Sequence, residues 1–185
     1  MRAQAQEHVP RAWEEAGRSA SLALMSVEFR LESYDGPAAQ ELIGEVQQEY
    51  VRRYGGPDAT VLTAEEFALP NGVFFVAYNE GLPVATGAWR AHGDADAEMK
   101  RLYVRPTARG LGLARRMVAV LERSAVEAGR DRMILETGSE QPEAIALYTS
   151  LGYGPVEPFG LYANEDGALH LGRVLASEDA VTSGR

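Results

Sequence analysis

The order of elements along the chain predicts an α/β (α+β) fold, with one domain over residues 27–176. Three observations lead there. The apolar periodicity alternates between two and 3.6 residues, giving β-α-α-β-β-β-α-β-α followed by more β. A strand–helix–strand unit from Ala97 to Glu136 requires a parallel strand pair with a right-handed crossover. The runs Val73 to Tyr78 and Val84 to Arg90 flank Asn79-Glu80-Gly81, an antiparallel hairpin signal because Asn and Gly tolerate positive φ.

Residues 1–26 are polar and Ala-rich. They read as a flexible N-terminal extension, with a short helix over Pro10 to Arg18 as an option and Met25 as an alternative initiator. Val27 to Leu31 alternates in period two and reads as the first strand. After Tyr34-Asp35-Gly36-Pro37, the spacing of Leu42, Val46 and Tyr50 predicts a helix over Ala38 to Arg53, stopped by Gly55-Gly56-Pro57. Thr63 with Glu66 three residues later forms a capping box for a shorter helix. After the hairpin comes a third strand, Ala97 to Val104. Met117, Val118, Val120, Leu121 and Ala125 mark an amphipathic helix from Leu113 to Ala128, ending near Gly129. Met133 to Leu135 is a short buried strand, Gln141 to Ser150 a helix ended by Gly152, and Ala168 to Leu175 the last strand. Residues 177–185 read as a frayed tail.

Composition narrows the function. The 185 residues are 45% hydrophobic and 24% charged, ordinary for a globular chain. Without cysteine there is no disulfide, thiolate metal site or cysteine nucleophile. The three histidines, His8, His92 and His170, lie far apart, so no metal site is expected. A formal charge of −9 argues against nucleic acid as a partner and suits a cationic or amine-bearing one. No apolar run approaches the ~20 residues that cross a bilayer. Glu7, Glu14 and Glu15 interrupt any signal peptide. The expectation is a cytoplasmic protein with no membrane partner.

The stretch Leu102-Tyr103-Val104-Arg105-Pro106-Thr107-Ala108-Arg109-Gly110-Leu111-Gly112-Leu113-Ala114 carries the chemistry. A strand enters a two-glycine loop that opens onto the long helix. The first helical amides lack intrahelical acceptors and carry the positive end of the dipole, and Arg109 with Arg115 or Arg116 adds charge. Such an arrangement cradles a pyrophosphate. A Rossmann fingerprint would need a small residue where Arg115 stands, and a P-loop would need Gly-Lys-Ser/Thr. An ordinary turn with two glycines is the remaining alternative.

Arg109 to Ala114 matches the R/Q-x-x-G-x-G/A signature of the GNAT acetyltransferases, and Leu102 to Pro106 resembles that family's approach to it. Ala144-Ile145-Ala146-Leu147-Tyr148-Thr149-Ser150-Leu151-Gly152-Tyr153 resembles its second motif. The resemblance covers Val27 to Leu175 and implies a three-layer sandwich. Its sheet would be mixed and mostly antiparallel, with a central parallel pair, and flanked by helices. It also implies acetyl-CoA as co-substrate, no metal, and cofactor contacts at Leu102, Tyr103, Val104, Arg109, Gly110, Leu111, Gly112, Leu113, Ala114, Arg115, Gln141 and Ala144. Gln141 stands where many members have Asn.

Direct transfer to an amine needs a base, an oxyanion donor and an acid. By resemblance, Glu98, six residues before Val104, is the base acting through a water; otherwise it balances Lys100 or Arg101 on a strand surface. Glu136 is the reserve. The resemblance also implies Tyr148 as the acid beside the CoA sulfur, where the alternative is a core aromatic. It implies an oxyanion donor among the backbone amides near Tyr103 and pantetheine pairing with the exposed backbone of that strand. The acceptor expected is a primary amine on a small molecule, with a peptide or protein amine, or a non-catalytic acyl-CoA-binding domain, as alternatives. A homodimer is compatible with the sequence. Tyr50, Tyr54, Phe67, Trp89, Phe159 and Tyr162 could shape the acceptor site, though aromatics more often fill cores. Glu65-Glu66 reads as dipole-complementing charge and His170 as a satisfied strand residue.

Overall fold

A computed structural model describes residues 27–175. The N-terminal extension with its optional helix and Met25, residue 176 and the tail from 177 lie outside the described residues. Strands β1 (Glu28–Leu31), β2 (Gly72–Asn79), β3 (Leu82–His92), β4 (Asp96–Val104), β5 (Arg132–Gly138), β6 (Gly154–Pro155) and β7 (Ala168–Val174) form one sheet. Its spatial order is β1-β2-β3-β4-β5-β7-β6. Among the described residues only β4 and β5 pair in parallel, because the helix between them carries the chain back across the sheet.

Helices α1 (Pro37–Tyr54), α2 (Leu113–Glu127) and α3 (Pro142–Ser150) cover both faces. Strand alternation separates two cores. Val73 and Ala77 of β2 face one, where α2 buries Leu113, Met117, Val118, Leu121 and Ala125. Phe74 and Val76 face the other, where α1 buries Ala39, Leu42, Ile43 and Val46. Tyr148 of α3 joins the α2 core. These layers are the three-layer sandwich the sequence implied. Gly87 of β3 lets α2 sit close, since a Cβ there would lie 2.7 Å from Met117 Cγ and 3.0 Å from Leu121 Cδ1. Trp89 is fully buried in this core, and its indole N–H donates to Ser124 Oγ at 2.8 Å.

Local details differ from expectation in three places. The hairpin turn takes its positive φ at Glu80 (51°) and Gly81 (79°), while Asn79 is the last residue of β2. The two-residue turn needs both central residues left-handed, so register placed Glu80 where Asn was expected. The helix expected after Thr63 is a single 3₁₀ turn, Ala64–Phe67, and Glu66 accepts from the Thr63 amide at 2.8 Å as the capping box requires. Strand β6, a Gly-Pro dipeptide, gave no strand signal and exists by pairing with β7.

The feature that creates the site is where the parallel pair stops. Strands β4 and β5 pair only over Asp96 to Met99 and Arg132 to Leu135. Opposite β3, Tyr103 pairs with Thr86 and Lys100 with Ala88, so Arg101 and Leu102 form a bulge facing Gly87. Arg101 adopts φ 56°, uncommon for a residue with a side chain. A bulge bends its strand, and β4 leaves β5 behind. Among the described residues no helix is long and apolar enough to cross a membrane.

Leu121, fully buried between α2 and the sheet, sets how firmly that layer is held. Leu121→Ala is expected to lower unfolding stability by about 2–5 kcal/mol in a urea titration. A loss below ~1 kcal/mol would mean that α2 is not packed as described.

Candidate active site

The splayed strands open a cleft of about 900 Å³. One end is the loop before α2. Gly110 (φ 79°) and Gly112 (φ 72°) are both left-handed, a conformation glycine adopts without steric cost. Gly112 caps α2 without a side-chain hydrogen bond, and no acidic residue stands in the first turn. The first amide to find a helical acceptor is that of Arg116, on the Gly112 carbonyl at 3.1 Å. The amides before it, and the positive dipole end, stay available to an anion.

Of the residues expected at a cofactor, Leu102, Tyr103, Val104, Arg109, Gly110, Gly112, Leu113, Ala114, Arg115, Gln141 and Ala144 line this one cleft, as does Tyr148. Leu111 does not line it and packs against the α2 core. The Arg109 guanidinium donates to the Val104 carbonyl at 3.0 Å and to Glu49 at 2.7 Å, fastening the loop to α1. Arg115 donates to Ser150 Oγ at 2.6 Å. Gln141, the N-cap residue of α3, donates its amide to the Tyr54 hydroxyl at 3.1 Å. Gly138 permits that approach, because a Cβ there would collide with the Tyr54 ring and hydroxyl.

Past the cradle the middle of the cleft is the free edge of β4. Beyond Met99 its β5-facing backbone has no strand partner, so donors and acceptors near Tyr103 face the cleft. Tyr148 lies across from it, 6% exposed, with its ring 5.6 Å from that of Tyr153. No described residue hydrogen-bonds its hydroxyl. Burial, reinforced slightly by Tyr50, pushes the Tyr148 hydroxyl well above its ordinary value and keeps it protonated.

The far end holds Glu136, Asp58, Lys100 and Tyr162. Burial pushes the Glu136 carboxyl up; Lys100 opposes this, while Asp58 and Glu98 add to it. No Lys or Arg among the described residues pairs with it, and the basic ring nitrogen beside it is His170 Nε2 at 3.6 Å. That nitrogen sits 3.0 Å from the Phe159 carbonyl, to which it donates. Burial alone would raise Asp58, yet hydrogen bonds from Arg101 and Thr60 hold it at about 2. Tyr162 donates to Asp58 at 3.1 Å and accepts from the Ala59 amide at 2.7 Å, tying two loops over this end.

Glu98 is separated from these groups. It is 2% exposed and does not line the cleft. Arg90 donates to it at 2.7 Å and Lys100 at 2.6 Å. Burial would raise its carboxyl, but Lys100 and Arg90 outweigh that and hold it below the usual range. Tyr50, Tyr54 and Tyr162 border the cleft, whereas Phe67 and Trp89 fill cores and Phe159 packs tilted against His92 and edge-on to His170. Glu66 is bound to Arg90 at 2.6 Å. Sequence reasoning missed Asp58 and Arg101; Lys100-Arg101, two adjacent cations inside a strand, was the available sign of a bulge.

Three comparisons bear on this geometry. The chain is 33% identical over 139 residues to an "IAA acetyltransferase" of Azospirillum brasilense, covering 75% of this chain and 91% of that one. Its fold matches a proposed acyl-CoA N-acyltransferase of Klebsiella pneumoniae at TM-score 0.67 and 25% identity, over 81% and 98% of the two chains. An aminoglycoside 6'-N-acetyltransferase complexed with coenzyme A shares the fold at TM-score 0.62 and 15% identity, over 81% and 98%. The model of the acetyltransferase (GNAT) family matches residues 42–153, the stretch that holds the cradle, the split strands and Tyr148. The chain therefore belongs to the acetyltransferase (GNAT) family and is an acetyl-CoA-dependent acyltransferase.

Proposed function

We propose that the chain acetylates a primary amine of a small molecule by direct transfer within one ternary complex. The observation that carries this reading is the continuity of the cleft, from uncapped helix amides, past an open strand edge and a protonated tyrosine, to a carboxyl without a close cation. The residues fit acetyl-CoA: amides at Gly112 to Arg115 suit its diphosphate, and the bare β4 edge suits an extended amide-bearing arm. When bound, acetyl-CoA supplies an acyl group on a thiol leaving group.

The rest falls to the chain's own residues. Glu136 takes the proton that the amine loses as its nitrogen bonds to the acyl carbon. A carboxyl raised by burial is a better base than an ordinary one, and Glu136 stands in the cleft while Glu98 does not. We therefore assign the base to Glu136 and give Glu98 the task of holding Lys100 and Arg90. A backbone amide near Tyr103 donates to the acyl oxygen as charge gathers there. Tyr148 gives its proton to the sulfur as the C–S bond breaks; burial keeps its hydroxyl protonated and neutral until then. The loops joined by Tyr162 enclose the acceptor end, which favours a small molecule over a protein surface.

Tyr148→Phe should lower kcat about 100-fold while leaving the Kd for acetyl-CoA within about threefold. Unchanged turnover of a good acceptor would remove the assignment. Glu136 accepts a proton only when ionised, so activity rises with pH through its elevated pKa. The kcat/KM profile of the native chain should show an ascending limb above the usual carboxylate range, and Glu136→Gln should lose that limb together with about 100-fold or more in rate. Should Glu98→Gln, rather than Glu136→Gln, abolish the limb with the fold intact, the base is Glu98.

A further inference from the structure

We infer that the acceptor is a small amino acid, with its amine toward Glu136 and its carboxylate on the Arg101 guanidinium; this rests on the amine-acetylation reading above. Arg101 is only 5% exposed and borders the cleft. A guanidinium carries five N–H donors. The described residues use one position, Nη1, which is bonded to Asp58. Its Nε is buried with no acceptor among the described residues. A buried donor left unpaired is costly, so an acceptor from outside the chain is the natural complement.

The backbone supports the same assignment. Arg101 holds its left-handed φ of 56° despite carrying a side chain, a strained state that persists where surroundings enforce it and clusters at functional sites. The last parallel rung pairs Met99 with Leu135. Arg101 lies two positions beyond it on β4 and Glu136 one position beyond it on β5, so both border the gap between the parted strands.

Asp58 does not satisfy the arginine; it aims it. Its oxygens also accept from the Thr60 amide at 2.8 Å and the Tyr162 hydroxyl at 3.1 Å, which fixes the carboxylate against the guanidinium. Of the other cleft cations, Lys100 is committed to Glu98 and Arg109 to Glu49, while Arg115 stands on Ser150 at the start of α2. What remains along one gap is a cation with unused donors and a carboxylate that no Lys or Arg among the described residues pairs with. An amine with a nearby carboxylate answers both, whereas a plain amine leaves the guanidinium donors unpaired.

The test follows thiol release from acetyl-CoA by the native chain. L-Amino acids are compared with their own amides and decarboxylated amines, for example L-methionine, L-methioninamide and 3-methylthiopropylamine. At least one amino acid should exceed both analogues by about 100-fold or more in kcat/KM. Arg101→Lys keeps a charge opposite Asp58 but loses the planar fork, and should shrink that ratio at least about tenfold, chiefly through KM. Amines acetylated equally well without a carboxylate, or a ratio unmoved in the folded variant, would overturn the inference and leave the N-acetylation reading standing. If no amine of either kind releases CoA, both fail together. Should the variant not fold, the ratio for the native chain decides.

Discussion

The structure depends on two parallel strands that stop pairing. Four rungs join β4 to β5, and then the bulge at Arg101 and Leu102 bends β4 away. A sheet normally satisfies its backbone by continuing, so an interior edge left bare is costly unless something else pairs with it. Here the bare edge lies between a helix terminus that lacks a cap and a helix that presents Tyr148. All three are incomplete in the same direction, into one cleft. An extended, amide-bearing ligand with an anionic end would complete them together, which is the placement proposed for acetyl-CoA.

Ion pairs then hold the walls. Arg109 and Arg53 fasten α1 to the loop before α2 and to α3, through Glu49 and Glu143. Arg105 reaches Glu41 and Glu45 of the same helix. Exposed pairs of this kind are individually worth little, but a network spanning three elements fixes their relative placement. Beside the cleft, Glu98 and Glu66 together balance Arg90 and Lys100. Glu136 is left as a carboxyl that burial pushes up, with no Lys or Arg among the described residues paired to it. A pair of carboxylates on neighbouring strands thus receives two fates from two environments.

Much of this was legible in the sequence. The 3.6-residue pattern from Leu113 and the glycines before it led directly to α2 and its uncapped start, since both are local properties of consecutive residues. The hairpin was equally local. Glu98 and Glu136 could not be told apart that way, because their difference arises across strands. Arg90 meets Glu98 through the β3–β4 register, and Lys100 meets it along β4. The bulge at Arg101 was hidden for the same reason: a run such as Met99-Lys100-Arg101-Leu102 breaks alternation without saying where the extra residue goes. Asp58, in a loop remote in sequence, carries no motif, and only the fold brings it to Arg101. Leu111, read as a cradle residue, packs its side chain against the α2 core and so leaves the cleft lining to its neighbours.

The central claim is that the bare β4 edge and the first amides of α2 are completed by one ligand. Backbone hydrogen exchange, followed with and without saturating acetyl-CoA, reads it directly. Amides of Leu102 to Val104 and of Gly110 to Arg115 should slow together by about tenfold or more on binding, since ligand pairing replaces solvent at those groups. Binding that leaves either segment exchanging at its free rate, or that protects a different face of the sheet, would contradict the account.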